Sequence, residues 1–237
     1  MESRLPRRVM AEGVGTALLL ATVVGSGIMG ERLFEGNAGL VLLANSLATG
    51  TGLVAFILSF GPVSGAHFNP LVTLAAASQG GLSWRDASAY VAAQFAGALL
   101  GVGTAAAMFS EPVFAASRRA RGGPEMLLSE CVATFGLMAV IWGCSRRHTE
   151  AVPLAVGAYI TAAYWFTAST SFANPAVTLA RSMTDTFTGI RPADVPGFIL
   201  AQAVGATVAT WLFRWLAPVP PQAARNVVVP HDEGGTR

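Results

Sequence analysis

Residues 174–182 read NPAVTLARS, and residues 69–77 read NPLVTLAAA. Asn is a favoured helix N-cap and Pro a favoured first helical residue, so each stretch opens a helix. Turn-forming sequence soon follows each one: QGGLSW after the first, TDTFTG after the second. A helix of about ten residues is ~15 Å long, half the ~30 Å depth of a hydrocarbon core. Each stretch therefore reads as a half-helix. The residues just before them, PVSGAH (62–67) and TASTSF (167–172), are polar and turn-forming. Irregular backbone of that kind tolerates membrane depth only where it is buried in protein or lines a water-filled path.

A membrane is what the composition demands. The chain has 237 residues, 53% of them hydrophobic and only 12% charged. A soluble domain would carry about 25% charged residues. Lys is absent from the sequence, and the net charge of +2 argues against a nucleic-acid partner. Six apolar runs stand at roughly 9–30, 38–61, 87–109, 126–144, 151–168 and 195–217. Each is near the ~20 residues a spanning helix needs. The first is not a cleaved leader, because Glu12 falls inside it and five more spans follow. This predicts an all-α membrane protein with six transmembrane helices and two re-entrant half-helices. Residues 1–8 form its N-terminus, 9–217 the membrane domain, and 218–237 a Pro-rich tail with the composition of disorder. With six spans both termini share a side. The Arg residues of the N-terminus, the 146–147 turn and the tail outweigh those of 118–121, which predicts cytoplasmic termini.

The repeat runs beyond the Asn-Pro pair. AEGVGT places Glu12 and Thr16 in the first span, as SECVAT places Glu130 and Thr134 in the fourth. AQFAGA (93–98) and AQAVGA (201–206) mark the third and sixth, and carry Gln94 and Gln202. Repeat one covers about 9–110 and repeat two about 125–217. Each holds three spans, an odd number, so the second copy enters the membrane inverted. The half-helices then meet at the midplane by their N-termini. Two positive dipole ends and the amides of Asn69 and Asn174 converge there. Such a centre repels cations and offers hydrogen-bond donors to a neutral solute.

These paired motifs resemble the aquaporins, members of the major intrinsic protein family. SGAHFNPLVT matches the family's first block with Leu71 in place of Ala, after Asn69 and Pro70. The second block, Asn174, Pro175 and Ala176, is intact. The resemblance covers about residues 8–217. It implies one pore per protomer, a homotetramer in the lipid bilayer, small neutral solutes as cargo, and no cofactor or metal. It also implies a second constriction at four positions, which by offset are Thr49, Ala162, Ser171 and Val177. Placing Thr49 and Ala162 this way assumes that neither helix has slipped.

The family usually carries Arg where this chain has Val177. Water-selective members carry His in span five and an aromatic residue in span two, where the offsets give Ala162 and Thr49. Loss of Arg removes a fixed charge and several donors at the narrowest point. The expected filter is wide, weakly polar and open to solutes larger than water. Val at this position resembles a bacterial subgroup of aquaglyceroporins encoded in arsenic-resistance operons. That likeness implies passage of arsenite as its neutral hydroxide, in a bacterial inner membrane.

Arg181 stands at i+4 from Val177, on the same helix face and ~6 Å farther out. There it would put positive charge in an outer vestibule, or else pair with Asp185 or snorkel to the interface. His67 is expected near the pore, orienting its loop or gating with pH. Glu12 and Glu130 are intramembrane carboxylates. Their symmetry favours a structural role, in which each accepts backbone N–H bonds ahead of its half-helix. Gln94 and Gln202 read as similar scaffolding. Trp84, Trp142, Trp211 and Trp215 read as interface anchors. Cys131 and Cys144 lie too far apart on one helix to pair and read as buried apolar residues. No nucleophile–base or metal-ligand cluster appears, so the sequence offers no catalytic residue. The leading reading is a passive channel for metalloid acids, polyols and some water. A general glycerol and water facilitator, an ion-coupled secondary transporter and a closed-pore structural protein are the alternatives.

Overall fold

The computed structural model describes residues 4–146 and 148–218. Arg147 and the tail beyond Pro218 lie outside the described residues, and with them the segment expected to be disordered. Among the described residues there are eight α-helices and no strand. In chain order they are α1 (Leu5–Leu33), α2 (Ala38–Ser64), α3 (Pro70–Ser78), α4 (Trp84–Phe109), α5 (Pro124–Ser145), α6 (Val152–Phe166), α7 (Pro175–Arg181) and α8 (Val195–Leu216).

The ends follow from local chemistry. Asn37 caps α2 by accepting the Leu40 N–H at 3.1 Å, and Ser83 caps α4 by accepting the Asp86 N–H at 3.1 Å. Helix α2 tolerates Pro62 in its last turn and stops at Gly65, whose φ of 87° is left-handed. Pro70 and Pro175 open the two half-helices, which run for 9 and 7 residues.

Five helices are long and apolar enough to cross a membrane. The fifth apolar run differs: α6 has 15 residues, preceded by a 3-10 turn at Thr149–Ala151. Its helical part spans ~22 Å. It is shorter than the run 151–168 because the chain leaves the helix at Thr167 to form the irregular segment ahead of α7.

The two repeats build matching halves. Helix α1 packs on α2 and α4, α5 packs on α6 and α8, and α2 meets α6 between the halves. The α1–α4 and α5–α8 crossings are close because glycine stands at corresponding places in AQFAGA and AQAVGA. A Cβ on Gly97 would run into the Gly13 carbonyl, and one on Gly205 into the Cys131 carbonyl. Small residues at such crossings let backbones approach where no hydrophobic effect drives association.

Trp84, Trp211 and Trp215 are exposed, whereas Trp142 is not an interface anchor. It is buried, donates its indole N–H to Thr210 Oγ1 at 3.2 Å, and has the Arg146 guanidinium 5.2 Å from its ring centroid. Cys131 and Cys144 are free and half-buried.

Because the blocking atoms are backbone, Gly97→Val and Gly205→Val should each destabilise the protein by ~1–3 kcal/mol. Thermal unfolding in detergent measures this; a melting temperature equal to wild type in both would contradict the close-crossing account.

Candidate functional site: a central cavity lined by paired asparagines

The two segments that precede the half-helices are held open by left-handed backbone at matching places. Ala66, Phe68, Ser171 and Ala173 all have φ between 48° and 52°. Each lies three residues or one residue ahead of its Asn. None of these four residues has glycine's freedom, so outside contacts must hold the strain. Glu12 supplies them in the first repeat. Its Oε1 accepts the His67 N–H at 2.9 Å and the Ser64 hydroxyl at 2.7 Å, and its Oε2 accepts the Phe68 N–H at 2.8 Å. Glu130 does the same in the second, accepting the Phe172 and Ala173 N–H groups at 2.9 Å each.

A second layer repeats too. Gln94 donates its amide to Glu12 at 2.8 Å and to Thr73 Oγ1 at 2.9 Å. Gln202 donates to Glu130 at 2.6 Å and to Thr178 Oγ1 at 2.8 Å. Those two Thr hydroxyls bond back to the Asn69 and Asn174 carbonyls at 3.1 and 2.8 Å. Both Glu side chains are wholly buried, with four donors to Glu12 and three to Glu130.

The asparagines end this chain of contacts. Asn69 Oδ1 accepts the Leu71 N–H at 3.0 Å; Asn174 Oδ1 accepts the Ala176 and Val177 N–H groups at 3.0 and 3.3 Å. The oxygens are thus used by the half-helices, which fixes the amide orientation. One N–H of each amide crosses to the opposite repeat: Asn69 Nδ2 donates to the Ala173 carbonyl and Asn174 Nδ2 to the Phe68 carbonyl, each at 2.8 Å. An amide nitrogen has two donors, so one on each side remains for the space between them.

That space is a narrow central cavity. Asn69, Asn174, His67, Thr49, Ser171, Val177 and Arg181 line it together with aliphatic side chains from α1, α2, α5 and α6. Pro70, Pro175 and Ala176 are buried as the first residues of the half-helices. Leu71 turns outward, into a groove beside Trp211 of α8. His67 sits with Nδ1 3.1 Å from Thr73 Oγ1 and its ring edge-on to Tyr90.

The outer wall departs from the offsets at one position. Ala162 is exposed on the outside of α6 and does not line the cavity. Helix α6 presents Val156, Ile160 and Tyr164 instead. These are spaced four apart, one inward-facing stripe. The Tyr164 and Thr49 hydroxyls lie 3.1 Å apart, joining α6 to α2 across the wall. Ser171 Oγ is buried without a hydrogen-bond partner.

Arg181 neither pairs with Asp185 nor reaches out into a vestibule. It is 2% exposed, its Nε donates to the Thr188 carbonyl, and its guanidinium carbon lies 3.4 Å from the Phe172 ring centroid. Asp185 belongs to Arg118, whose backbone N–H and guanidinium bond it at 2.9 and 2.7 Å and hold its carboxyl below the usual Asp range. Arg121 braces the same region from the 110–123 loop, donating to the Gly189, Ser169 and Phe187 carbonyls, with its guanidinium 5.1 Å from Phe172. Burial lowers its pKa to about 10, so it stays charged at neutral pH.

A model of the family described as "Major intrinsic protein" matches residues 2–171. The chain belongs to the major intrinsic protein family. Aquaglyceroporin AqpS of Rhizobium meliloti is 55% identical over 227 residues, covering 96% of this chain and 95% of that protein. A probable aquaporin, AqpM of Archaeoglobus fulgidus, is 32% identical, covering 92% of this chain and 99% of that one. Among solved structures, the aquaglyceroporin of Plasmodium falciparum superposes with a TM-score of 0.69 at 19% identity, covering 93% of this chain and 99% of that one. That likeness speaks to the fold. As a major intrinsic protein the chain is a membrane channel and not an enzyme.

Sequence reasoning missed Tyr164, Phe172 and the two Thr of the second layer. Thr73 and Thr178 stood in plain view, at the same place in both repeated motifs. Tyr164 gave no signal, because an offset counted back from Asn174 cannot register where α6 ends. Phe172 carries no motif, and its role depends on cations from two separate segments.

Removing a buried acceptor strands its donors. In this major intrinsic protein Glu130→Leu should lower stability by at least ~2 kcal/mol, because two backbone N–H groups and the Gln202 amide lose their partner. Thermal unfolding checks it. A variant that melts like wild type but loses only ion-dependent flux would instead make Glu130 a proton relay.

Proposed function

We propose that this protein is an aquaglyceroporin for small neutral solutes, passing metalloid acids such as arsenite, polyols and some water. One observation carries the reading: the cavity wall at the second Asn-Pro-Ala block is Val177, 6% exposed, where a charged side chain would narrow the path. With Val there, the lumen beside the asparagines is walled mainly by aliphatic groups and a few hydroxyls, with Arg181 one turn farther along α7. Such a wall accepts a solute with a hydroxylated rim and an uncharged centre. A trivalent arsenic hydroxide and glycerol share that chemistry. The 55% identity to a protein named an aquaglyceroporin points the same way.

The assembly and placement that go with this reading are a homotetramer in a bacterial inner membrane, with cytoplasmic termini and the pore within residues 9–217. An ion-coupled transporter fits less well. It would need a free carboxylate, and both oxygens of Glu12 and of Glu130 already accept hydrogen bonds from the protein.

Stopped-flow light scattering on proteoliposomes tests the proposal. Wild type should admit glycerol and arsenite faster than empty liposomes. Val177→Arg should cut both by at least tenfold while water entry falls less than threefold. Passage of water alone by wild type, or an Arg variant with unchanged solute ranking, would refute it.

A further inference from the structure

The charge that Val177 omits reappears one helical turn along α7. Arg181 lines the same cavity, and its surroundings fix where its charge can act. Its Nε is committed to the Thr188 carbonyl, and its planar face rests on the Phe172 ring. The Phe172 backbone N–H is itself held by Glu130, so the stack is tied to the framework that holds the asparagines. Among the described residues no carboxylate pairs with Arg181, and its two Nη groups make no hydrogen bond to protein. The cavity-lining residues include no Asp or Glu.

A buried guanidinium without a counterion is costly unless something polar solvates it. An aromatic face meets part of that need. The remainder must come from what fills the cavity. The side chain is therefore positioned so that its free donors and its charge face the lumen. Its companions on that wall are the Thr49–Tyr164 hydroxyl pair and Ser171 Oγ, a buried hydroxyl with no partner.

We propose that Arg181 is the cation-excluding and solute-orienting group of this pore, working against a wall formed by Tyr164, Thr49 and Ser171. The constriction is then displaced by one turn rather than stripped of its charge. Its ligand is a neutral solute carrying at least two hydroxyls. One accepts from the Arg181 amino groups, and another bonds to the Tyr164, Thr49 or Ser171 hydroxyl. This rests on the channel reading above and adds two specificity residues to it, Arg181 and Tyr164. A fixed positive charge beside a narrow, low-dielectric path repels cations strongly.

Full-length protein in liposomes tests this with two readouts. One is glycerol entry by light scattering. The other is proton and sodium entry under a potassium-diffusion potential, followed with entrapped dyes. Wild type should pass glycerol and stay tight to both ions. Arg181→Gln should lower glycerol entry severalfold relative to water and raise ion entry at least tenfold, and Arg181→Lys should restore tightness to ions. Arg181→Gln with unchanged ion entry and unchanged glycerol entry would overturn the proposal. Should the Gln variant fail to fold, Arg181→Lys and Tyr164→Phe decide. The proposal requires the first to stay ion-tight and the second to lower glycerol entry severalfold relative to water. An ion-leaky Lys variant, or an unchanged glycerol-to-water ratio in Tyr164→Phe, would overturn it. Wild type that passes no glycerol would overturn both this and the channel reading.

Discussion

Two stretches of irregular backbone must sit at membrane depth, away from any regular hydrogen-bonding ladder, and the rest of the architecture answers to that constraint. An unsatisfied N–H in hydrocarbon costs several kcal/mol, on the order of half a domain's net stability. Two buried carboxylates meet the need, one per repeat. Because Glu12 and Glu130 stand on α1 and α5, the spans must pack tightly enough to bring those helices against the loops. The glycines at positions 97 and 205 allow that approach. The framework therefore runs from helix crossing to carboxylate, to loop, to asparagine, with the pore at its end.

The same logic explains why the pore centre is rigid. Each asparagine uses its oxygen on its own half-helix and one N–H on the opposite loop. Neither side chain can rotate without breaking bonds in both repeats. What is left is one donor on each side, facing the cavity. A solute that accepts hydrogen bonds is matched there; a bare cation meets the positive ends of the two N–H groups.

Much of this was legible in the sequence, because the inverted repeat ties each part to a copy. Glu12 with Glu130, Gln94 with Gln202, and Asn69 with Asn174 could be paired by order alone. The filter was less legible, because it breaks the symmetry. An offset from Asn174 pointed to Ala162, yet α6 ends at Phe166 and turns Tyr164 inward. Where a helix stops depends on tertiary packing, which a count along the chain does not contain. Arg181 was readable as a residue on the right helix face. Its resting place was not, since the Phe172 ring and the Thr188 carbonyl that hold it come from before and after the half-helix.

A structure determined by electron cryo-microscopy in lipid nanodiscs with glycerol is the most direct test of this arrangement. The account predicts solute density running between the Asn69 and Asn174 amides and on to the Arg181 guanidinium, with Tyr164 facing it and Arg181 on Phe172. Arg181 turned away to pair with Asp185, or Ala162 lining the path in place of Tyr164, would contradict it.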